Sequence, residues 1–444
     1  MKCPFSGAAA FVVMWSALSV MASLSASAHG YKVLYSFCEE QNCTDGTEPD
    51  GLVEDSSGNL YGTVFDGGPD DAGGIFELER KSHGYAFELL YGFCQQADCA
   101  DGGYPTHGLI LDTHGNLYGT TLLGGSDEYS GEVFELKHSR GSWKLKLLYG
   151  FCQKADYADG EDPEAGLAYA GEQSGALYDG TSPLFGTTVN GGTGGTPGVY
   201  GVAYEIAPGR SGWTYQVIYD FCSIANCADG ANPYATLTED SAGDLYGTTA
   251  GGGSVNDAGT IFELANSGGS WSQSVLYTFC PVAGCSDGAF PEGGLVIDPA
   301  GNLDGTTLEG GEVGVSCSTI PDGCGVAYTF APGGAETVQH TFCTTKSCRD
   351  GYGPAGTPAT DTDGDLFAIT EIGGDFSNVA TGGGTLYELD GATFTVLHEF
   401  CAKASCADGG EPVAPPIRDS AGRFFGTATI GGASSGGVVY EYAK

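Results

Sequence analysis

The amino-acid sequence predicts an all-β fold, a seven-bladed β-propeller with four antiparallel strands in each blade. Three observations predict it. One repeat unit recurs seven times, each unit contains four short runs of strand-forming residues, and the chain begins and ends out of phase with the repeat by complementary amounts. Units of this length are typical of propeller blades. A solenoid is the alternative, although a unit of 58 residues is long for one solenoid coil.

The repeat unit reads L-Y-x-F-C-x4-C-x-D-G-x-x-P, then G-L-x-x-D-x-x-G-N-L-Y-G-T-T, a Gly-Gly pair and G-T-x-F-E-L. Successive first cysteines lie 56, 58, 70, 58, 63 and 58 residues apart. The two long intervals contain insertions, Gly171–Pro183 in the third unit and Glu312–Cys324 in the fifth. A ring of similar blades binds through what differs between them, so these insertions indicate either a binding site or neutral variation in loop length.

Four strands are predicted in the second unit, at Gly108–Leu111, Asn116–Thr121, Glu132–Leu136 and Lys144–Tyr149. Short runs between Gly, Asp and Asn turns form antiparallel strands. The link from L-Y-x-F to G-L is the longest regular connection, which predicts that G-L is the innermost strand and L-Y-x-F the outermost. The cysteine links and the Gly-Gly loops then share one face. Glycines on the second strands predict close approach between blades.

The two ends of the chain predict how the ring closes. Its first strand, Lys32–Phe37, corresponds to the fourth strand of a unit, and its last, Val438–Tyr442, to the third. Pairing of these two strands would complete one blade and leave no exposed edge there. We therefore expect residues 29–444 to form a single propeller domain.

Residues 1–28 have the pattern of a signal peptide, with Lys2, an apolar run and a small-residue site that predicts cleavage after Ala28. A membrane anchor is the alternative, but the apolar run is short and interrupted by serines. We expect a secreted or periplasmic protein without a membrane span. The chain carries 56 Asp and Glu against 16 Lys and Arg, a net charge of −40, which excludes most nucleic-acid partners.

The L-Y-x-F, D-G, G-N-L-Y-G-T-T and G-T-x-F-E-L segments resemble the GloVer tandem-repeat proteins of bacteria, and the resemblance covers residues 31–444. It implies export and a repeat fold. It implies no general activity, and nothing functional for the paired cysteines.

Cysteines recur at a fixed spacing in an exported chain, which predicts local disulfides. The expected pairs are Cys38/Cys43, Cys94/Cys99, Cys222/Cys227, Cys280/Cys285, Cys343/Cys348, Cys401/Cys406 and, in the fifth-unit insertion, Cys317/Cys324. A metal site would need four converging ligands, whereas the pairs belong to separate blades. Cys152 has Tyr157 at its partner position and is either a buried thiol or a reactive or intermolecular one.

An Asp-Gly pair follows the cysteines in every unit. The aspartates are Asp45, Asp101, Asp159, Asp229, Asp287, Asp350 and Asp408. They are either a ring of carboxylates that could hold Ca²⁺ or a cationic ligand, or Asx turns that cap backbone N–H groups. The segment Asp361–Asp365 resembles a calcium loop, but Leu366 and Ile372 stand where an EF-hand needs Gly and Glu. We expect no cofactor.

Aromatic residues on the same links could stack on sugar rings or cover the disulfides. The candidates are Tyr104, Tyr157, Tyr234 and Tyr352. With the Asp-Gly carboxylates on this face, a ligand that is neutral or cationic is favoured over an anionic polymer.

The function favoured by these patterns is that of a binding or interaction scaffold, with a glycan or an extracellular protein as partner. The alternative is a carbohydrate-active hydrolase or lyase that uses carboxylates on the loop face or channel. An enzyme needs two or three convergent ionisable residues that are not repeated in every unit, and the sequence identifies no such set.

Overall fold

The structure is a computed structural model, and it describes residues 30–125, 130–253, 256–281, 284–311, 323–344, 347–361, 363–379, 381–391 and 393–444. The expected signal peptide and Cys317 lie outside these residues, as do residues 312–322 of the fifth-unit insertion. No helix in the described ranges has the length and apolar character needed to cross a membrane.

The described residues form seven four-stranded antiparallel sheets, which confirms the seven-bladed propeller. In chain order the strands are β1 (Gly30–Ser36), β2 (Thr47–Glu54), β3 (Leu60–Asp66), β4 (Gly74–Lys81), β5 (Gly84–Gly92), β6 (Gly103–Leu111), β7 (Leu117–Leu123), β8 (Glu132–Ser139), β9 (Ser142–Gly150), β10 (Ala168–Tyr169), β11 (Leu184–Thr188), β12 (Val202–Gly209), β13 (Gly212–Asp220), β14 (Thr238–Glu239), β15 (Leu245–Thr249), β16 (Thr260–Ser267), β17 (Ser270–Thr278), β18 (Val296–Ile297), β19 (Leu303–Thr307), β20 (Val326–Phe330), β21 (Glu336–Thr341), β22 (Tyr352–Thr360), β23 (Leu366–Ile372), β24 (Thr385–Asp390), β25 (Thr393–Glu399), β26 (Ile417–Arg418), β27 (Arg423–Ala428) and β28 (Val438–Ala443). Blades 1 to 6 each take four consecutive strands from β2 to β25.

Blade 7 is completed by the first strand of the chain. Its order is β1-β28-β27-β26, and β1 runs antiparallel to β28 with Tyr31 opposite Tyr442 and Ser36 opposite Val438. The Tyr31 hydroxyl also donates to the carbonyl oxygen of Asp408 at 2.5 Å. The ring is therefore closed by the N-terminal strand, as the phase of the two ends predicts.

The G-L strands are innermost, as predicted, and they surround a central channel to which all seven blades contribute. Threonines on the second strands tie neighbouring inner segments together. The Oγ1 atoms of Thr120, Thr187 and Thr248 donate to carbonyl oxygens of the next blade at 3.1, 3.2 and 3.0 Å. Each hydroxyl satisfies a buried polar group at a place where two sheets meet.

The two faces of the disc carry different loops. Backbone N–H groups of the Gly-Gly loops donate to cysteine carbonyl oxygens, as from Gly68 to Cys43 at 3.0 Å, so both sets of loops share one face, here called the cysteine face. The opposite face, the turn face, carries the D-x-x-G-N hairpins. In blade 1 the carboxylate of Asp55 accepts from the N–H groups of Ser57 and Asn59 at 2.8 and 2.9 Å.

The second-strand glycines make room within a blade, which corrects the expectation that they serve contact between blades. Gly62 on β3 lies opposite Phe76 on β4, and a Cβ at Gly62 would be 2.6 Å from Cζ of that ring. Gly426 faces Tyr440 in the same way in blade 7. The aromatic ring of the third strand therefore fills the space that a side chain on the second strand would need.

This aromatic position is a tyrosine in four blades and a phenylalanine in three. The tyrosines are Tyr204, Tyr328, Tyr387 and Tyr440, and the phenylalanines are Phe76, Phe134 and Phe262. Within the described residues, none of the four buried hydroxyls has a hydrogen-bond partner. A buried hydroxyl that lacks a partner costs free energy of folding.

We expect Tyr440→Phe to raise the free energy of unfolding by about 1 kcal/mol, because it removes an unsatisfied hydroxyl and keeps the ring. The matched control is Tyr91→Phe, whose hydroxyl donates to Asp101 at 2.7 Å and whose loss should destabilise the protein. Urea denaturation of both variants measures the difference. Equal destabilisation by the two substitutions would contradict the explanation.

Candidate functional site

The site is built on seven links that cross the cysteine face from an outer strand to the next inner strand. Six C-x4-C disulfides are present, which confirms that part of the prediction: Cys38–Cys43, Cys94–Cys99, Cys222–Cys227, Cys280–Cys285, Cys343–Cys348 and Cys401–Cys406. Because Cys317 lies outside the described residues, its pairing with Cys324 stays a prediction. In the third link the Cys152 thiol lies 3.6 Å from the carbonyl oxygen of Gly160.

The Asp-Gly aspartates accept hydrogen bonds from their own links. Asp101 accepts from the hydroxyl of Tyr91 at 2.7 Å and from the backbone N–H groups of Gln95 and Gln96 at 3.1 and 2.9 Å. Asp45, Asp159 and Asp229 repeat this arrangement. The side chains of Asp287 and Asp350 are half-buried and those of the other five are buried. These carboxylates hold each link against the outer strand of the preceding blade.

Histidines replace the tyrosine partner in the last two links. Nε2 of His340 lies 3.2 Å from Asp350, and Nε2 of His398 lies 3.4 Å from Asp408. Burial opposes ionisation of Asp408, but His398 and the backbone N–H of Lys403 hold the pKa of this carboxyl below its usual value. His340 thus takes the place of the tyrosine as hydrogen-bond partner of Asp350, whereas His398 only lies close to Asp408.

The four candidate tyrosines do not come together. Tyr104 stacks on Phe65 with ring centroids 5.2 Å apart, and the Tyr352 hydroxyl lies 3.5 Å from the carbonyl oxygen of Thr381. Tyr157 lies on an outer part of the third link and is 43% exposed. Tyr234 is the candidate whose hydroxyl is affected electrostatically by the unrepeated carboxylates Glu164 and Glu292, and the next residue, Ala235, lines the central channel.

Three carboxylates that the sequence did not single out, Glu164, Glu292 and Glu371, define with the candidate Tyr234 and with His107 a site called here the channel mouth. Glu164, Tyr234 and Glu292 each follow the proline of D-G-x-x-P, a position that is Asp50, Thr106, Ala355 or Val413 in the other units. The sequence signal that could have identified these residues was the position after the motif proline, because its residue type varies between units while the motif around it is repeated. The backbone N–H of His107 donates to Asp50 at 2.9 Å, which joins blades 1 and 2 at the same rim.

The ring geometry brings these groups close enough to affect one another's pKa. Glu292 faces the channel, where desolvation by the surrounding strands and then the charges of Glu164, Glu371 and Glu309 together raise its pKa to about 7. Desolvation also raises the pKa of Glu164, although His107 opposes the shift. Burial, then Glu164 and Glu292, raise the pKa of the Tyr234 hydroxyl. The mouth therefore holds one carboxyl, that of Glu292, that is partly protonated near neutral pH, and two more, those of Glu164 and Glu371, whose pKa is raised.

The third-unit insertion lies across the other end of the channel. It contains a short 3₁₀ turn, Glu172–Ser174, and both Glu172 and Gln173 line the channel. Oε1 of Gln173 lies 3.5 Å from the backbone N–H of Ile297 in blade 5, which donates to it. Burial, and then Glu239 of blade 4, raise the pKa of Glu172 to about 8, although a backbone hydrogen bond at Tyr169 opposes the shift. The channel is thus narrowed at the turn face.

No group of three or more His, Cys, Asp or Glu side chains in the described ranges is arranged to hold a metal ion. At the calcium-like segment, Asp361 accepts from the N–H groups of Asp363 and Asp365 at 2.9 and 3.1 Å, as in the other hairpin turns.

These features define a disulfide-stapled propeller built from one repeated sequence unit, with an unrepeated carboxylate cluster at its channel. The chain belongs to the Gloeobacter/Verrucomicrobia repeat family, whose model matches residues 18–183 and 174–378. The resemblance inferred from the repeat motifs is therefore confirmed.

Comparison with solved structures gives many matches. One of them, described as a candidate gluconolactonase, is 10% identical, covers 94% of this chain and 92% of that chain, and has a TM-score of 0.39. A likeness of this size carries no argument about activity. No curated protein matches the chain in sequence.

Proposed function

We propose that this protein is an exported binding protein whose ligand site is the channel mouth on the cysteine face. The observation that carries the proposal is the cavity that the inner strands of all seven blades surround: Glu292 and His107 line it, and Glu164 and Tyr234 interact electrostatically with Glu292. The proposed ligand is a polar saccharide that is neutral or cationic, presented free or on an extracellular glycoprotein.

Shape supports a ligand of limited size. The channel cavity has a volume of about 250 Å³, and the Glu172–Ser174 turn narrows its far end. Drug-sized ligand pockets range from about 300 to 1,000 Å³, so this cavity suits one sugar ring or the end of a chain. Tyr234 is half-buried and offers an aromatic ring of the kind on which sugar rings stack.

Charge supports the choice between ligand classes. Glu164, Glu292 and Glu371 can accept hydrogen bonds from hydroxyl or amino groups, and in their protonated forms they can also donate. A polyanion would be repelled by this carboxylate cluster and by the net charge of −40 on the whole chain. The Asp-Gly carboxylates make their hydrogen bonds within the links and take no part in binding this ligand.

Export is part of the proposal. Two observations support it. Residues 1–28 have the pattern of a signal peptide cleaved after Ala28, and the described part of the chain has six disulfides, which persist in oxidising compartments. We accordingly place the mature chain outside the cytoplasm, secreted or periplasmic.

The test is binding of the mature chain to arrays of neutral, cationic and polyanionic glycans at low salt, followed by calorimetry on the best ligand. We expect a neutral or cationic glycan to bind, and Tyr234→Ala to weaken binding about fivefold or more, because one buried stacking contact is worth about 1 kcal/mol. Tyr157→Ala is the matched control and should leave binding unchanged. Preference for polyanions, or equal binding by the two variants, would overturn the proposal.

A carbohydrate-active hydrolase or lyase is the second candidate, and the pair Glu164 and Glu292 favours it. A general acid needs a raised pKa, and desolvation raises both, that of Glu292 to about 7. Incubation of the protein with the glycans of the binding test distinguishes a binding protein from an enzyme. An enzyme releases reducing ends or unsaturated products, and Glu292→Gln abolishes this release while binding persists.

A further inference from the structure

Basic residues are scarce in this chain, yet four of the 16 Lys and Arg line one cavity on the turn face. This turn-face cleft has a volume of about 1010 Å³ and lies where blades 7 and 1 meet. Lys32, Arg80, Arg418 and Arg423 line it, together with four carboxylates, those of Glu54, Asp55, Asp419 and Glu441. The lining is thus formally neutral in a molecule whose net charge is −40.

Arg418 is an exception among the seven inner strands. Strand pairing places it at the register position that is occupied in blades 1 to 6 by Glu54, Leu111, Tyr169, Glu239, Ile297 and Thr360. Two of those six residues are acidic and none is basic. A cation at this position therefore occurs once in the ring, as a single ligand site would need.

The cations of the cleft divide into one that is neutralised and three that are not. Arg423 donates to Asp419 and Glu441, with nitrogen–oxygen distances of 2.6 and 3.2 Å. Lys32, Arg80 and Arg418 have exposed side chains, and none of them forms an ion pair within the described part of the chain.

Three of the four carboxylates of the cleft, those of Asp55, Asp419 and Glu441, have partners of their own. Asp55 accepts from two backbone N–H groups of its hairpin and from the Asn59 side chain. Asp419 also caps a hairpin while it binds Arg423. The exposed guanidinium groups of Arg80 and Arg418 therefore remain available to an anion from solution.

An apolar wall completes the cleft. Leu177, from the third-unit insertion, is 38% exposed and lines the cleft with Tyr169 and Ile417. The insertion thus brings an apolar side chain from blade 3 to cations from blades 1 and 7. A surface that offers guanidinium donors on one side and apolar groups on the other suits a ring that carries a carboxylate.

We propose that the turn-face cleft binds a small carboxylate-bearing sugar, a single uronate or a uronate disaccharide. Arg80 and Arg418 hold the carboxylate, and Leu177 and Ile417 contact the face of the sugar ring. A long polyanion does not fit the proposal, because the charge of the whole molecule repels a chain that extends beyond the cleft. This site is separate from the channel mouth and lies on the opposite face.

The test is calorimetric titration of the mature chain with digalacturonate at 20 and 150 mM salt. We expect saturable binding that weakens at the higher salt, loss of at least about tenfold in affinity in the double variant Arg80→Ala/Arg418→Ala, and no change in Arg210→Ala, which removes an exposed arginine from the corresponding hairpin of blade 3. The methyl ester of digalacturonate keeps the rings without the charge and should not bind.

Three outcomes would overturn the proposal: no saturable binding of digalacturonate, equal binding of the ester, or equal affinity in the double variant. Leu177→Ser separates the ring contact from the charge and should weaken digalacturonate without affecting the Tyr234-dependent ligand. Because the variants of the two sites lie on opposite faces, failure of one site leaves the test of the other intact.

Discussion

Removal of the first strand should prevent the propeller from folding. A chain without residues 30–37 loses the pairing of β1 with β28 and leaves the third strand of blade 7 as an exposed edge. Phe37 is fully buried, and Tyr31, Val33 and Tyr35 pack against the core clusters of blades 7 and 1. At about 1.5–3 kcal/mol for each buried side chain, the loss is comparable to the net stability of a whole domain.

Two further chains make this result interpretable. A chain that begins at Gly30 keeps β1 and should melt as the mature protein does. A circular permutant, with residues 30–37 moved behind Lys444 through a short hairpin turn, restores the strand from the other side and should refold. Circular dichroism and light scattering report folding and aggregation. A deletion variant that melts like the chain from Gly30 would refute the closure.

Replacement of an Asp-Gly aspartate should destabilise the protein without changing ligand preference. Asp101→Ala removes three hydrogen bonds and leaves the Tyr91 hydroxyl and two backbone N–H groups without their acceptor. We expect a loss of about 3 kcal/mol or more, since hydrogen bonds to a charged group contribute about 1.5–3 kcal/mol each and are not additive.

Asp287 provides the graded comparison. It is half-buried and accepts from the Tyr277 hydroxyl at 2.8 Å and the Cys280 N–H at 3.0 Å, so Asp287→Ala should cost less than Asp101→Ala. Urea denaturation gives both values, and glycan binding is measured on the folded fraction. Unchanged stability together with lost binding would instead show that these carboxylates face a ligand.

The fold could be predicted from the sequence because its information is repeated. The same pattern of strands and turns recurs in seven units, so an ambiguous strand in one unit can be assigned from the other six. The complementary ends, Lys32–Phe37 and Val438–Tyr442, indicate how the ring closes. The six described disulfides could be predicted equally well, since both cysteines of a pair lie in one short segment. The role of the second-strand glycines could not be predicted in this way, because the sequence shows that Gly62 has no side chain but not that the ring of Phe76 on the neighbouring strand occupies that space.

The candidate site was harder to predict for the opposite reason. The most visible residues, such as Asp101, are repeated because every blade needs the same link, and repetition indicates structure rather than a single site. Glu164 and Glu292 are far apart in the sequence and differ in type from their counterparts Thr106 and Ala355. Only the curvature of the ring brings them together, and a repeat pattern does not specify which unrepeated residues meet.

The spacing of the disulfides also determines how an emerging chain can be oxidised. Each of the six described pairs joins cysteines five positions apart, while the next pair follows dozens of residues later. On the export route proposed above, in which the chain crosses a membrane from its N-terminus, the first thiol of each of these six pairs meets its partner before the next of the six pairs has emerged. Oxidation can therefore proceed in sequence order, pair by pair, with little need for thiol–disulfide exchange to repair wrong connections.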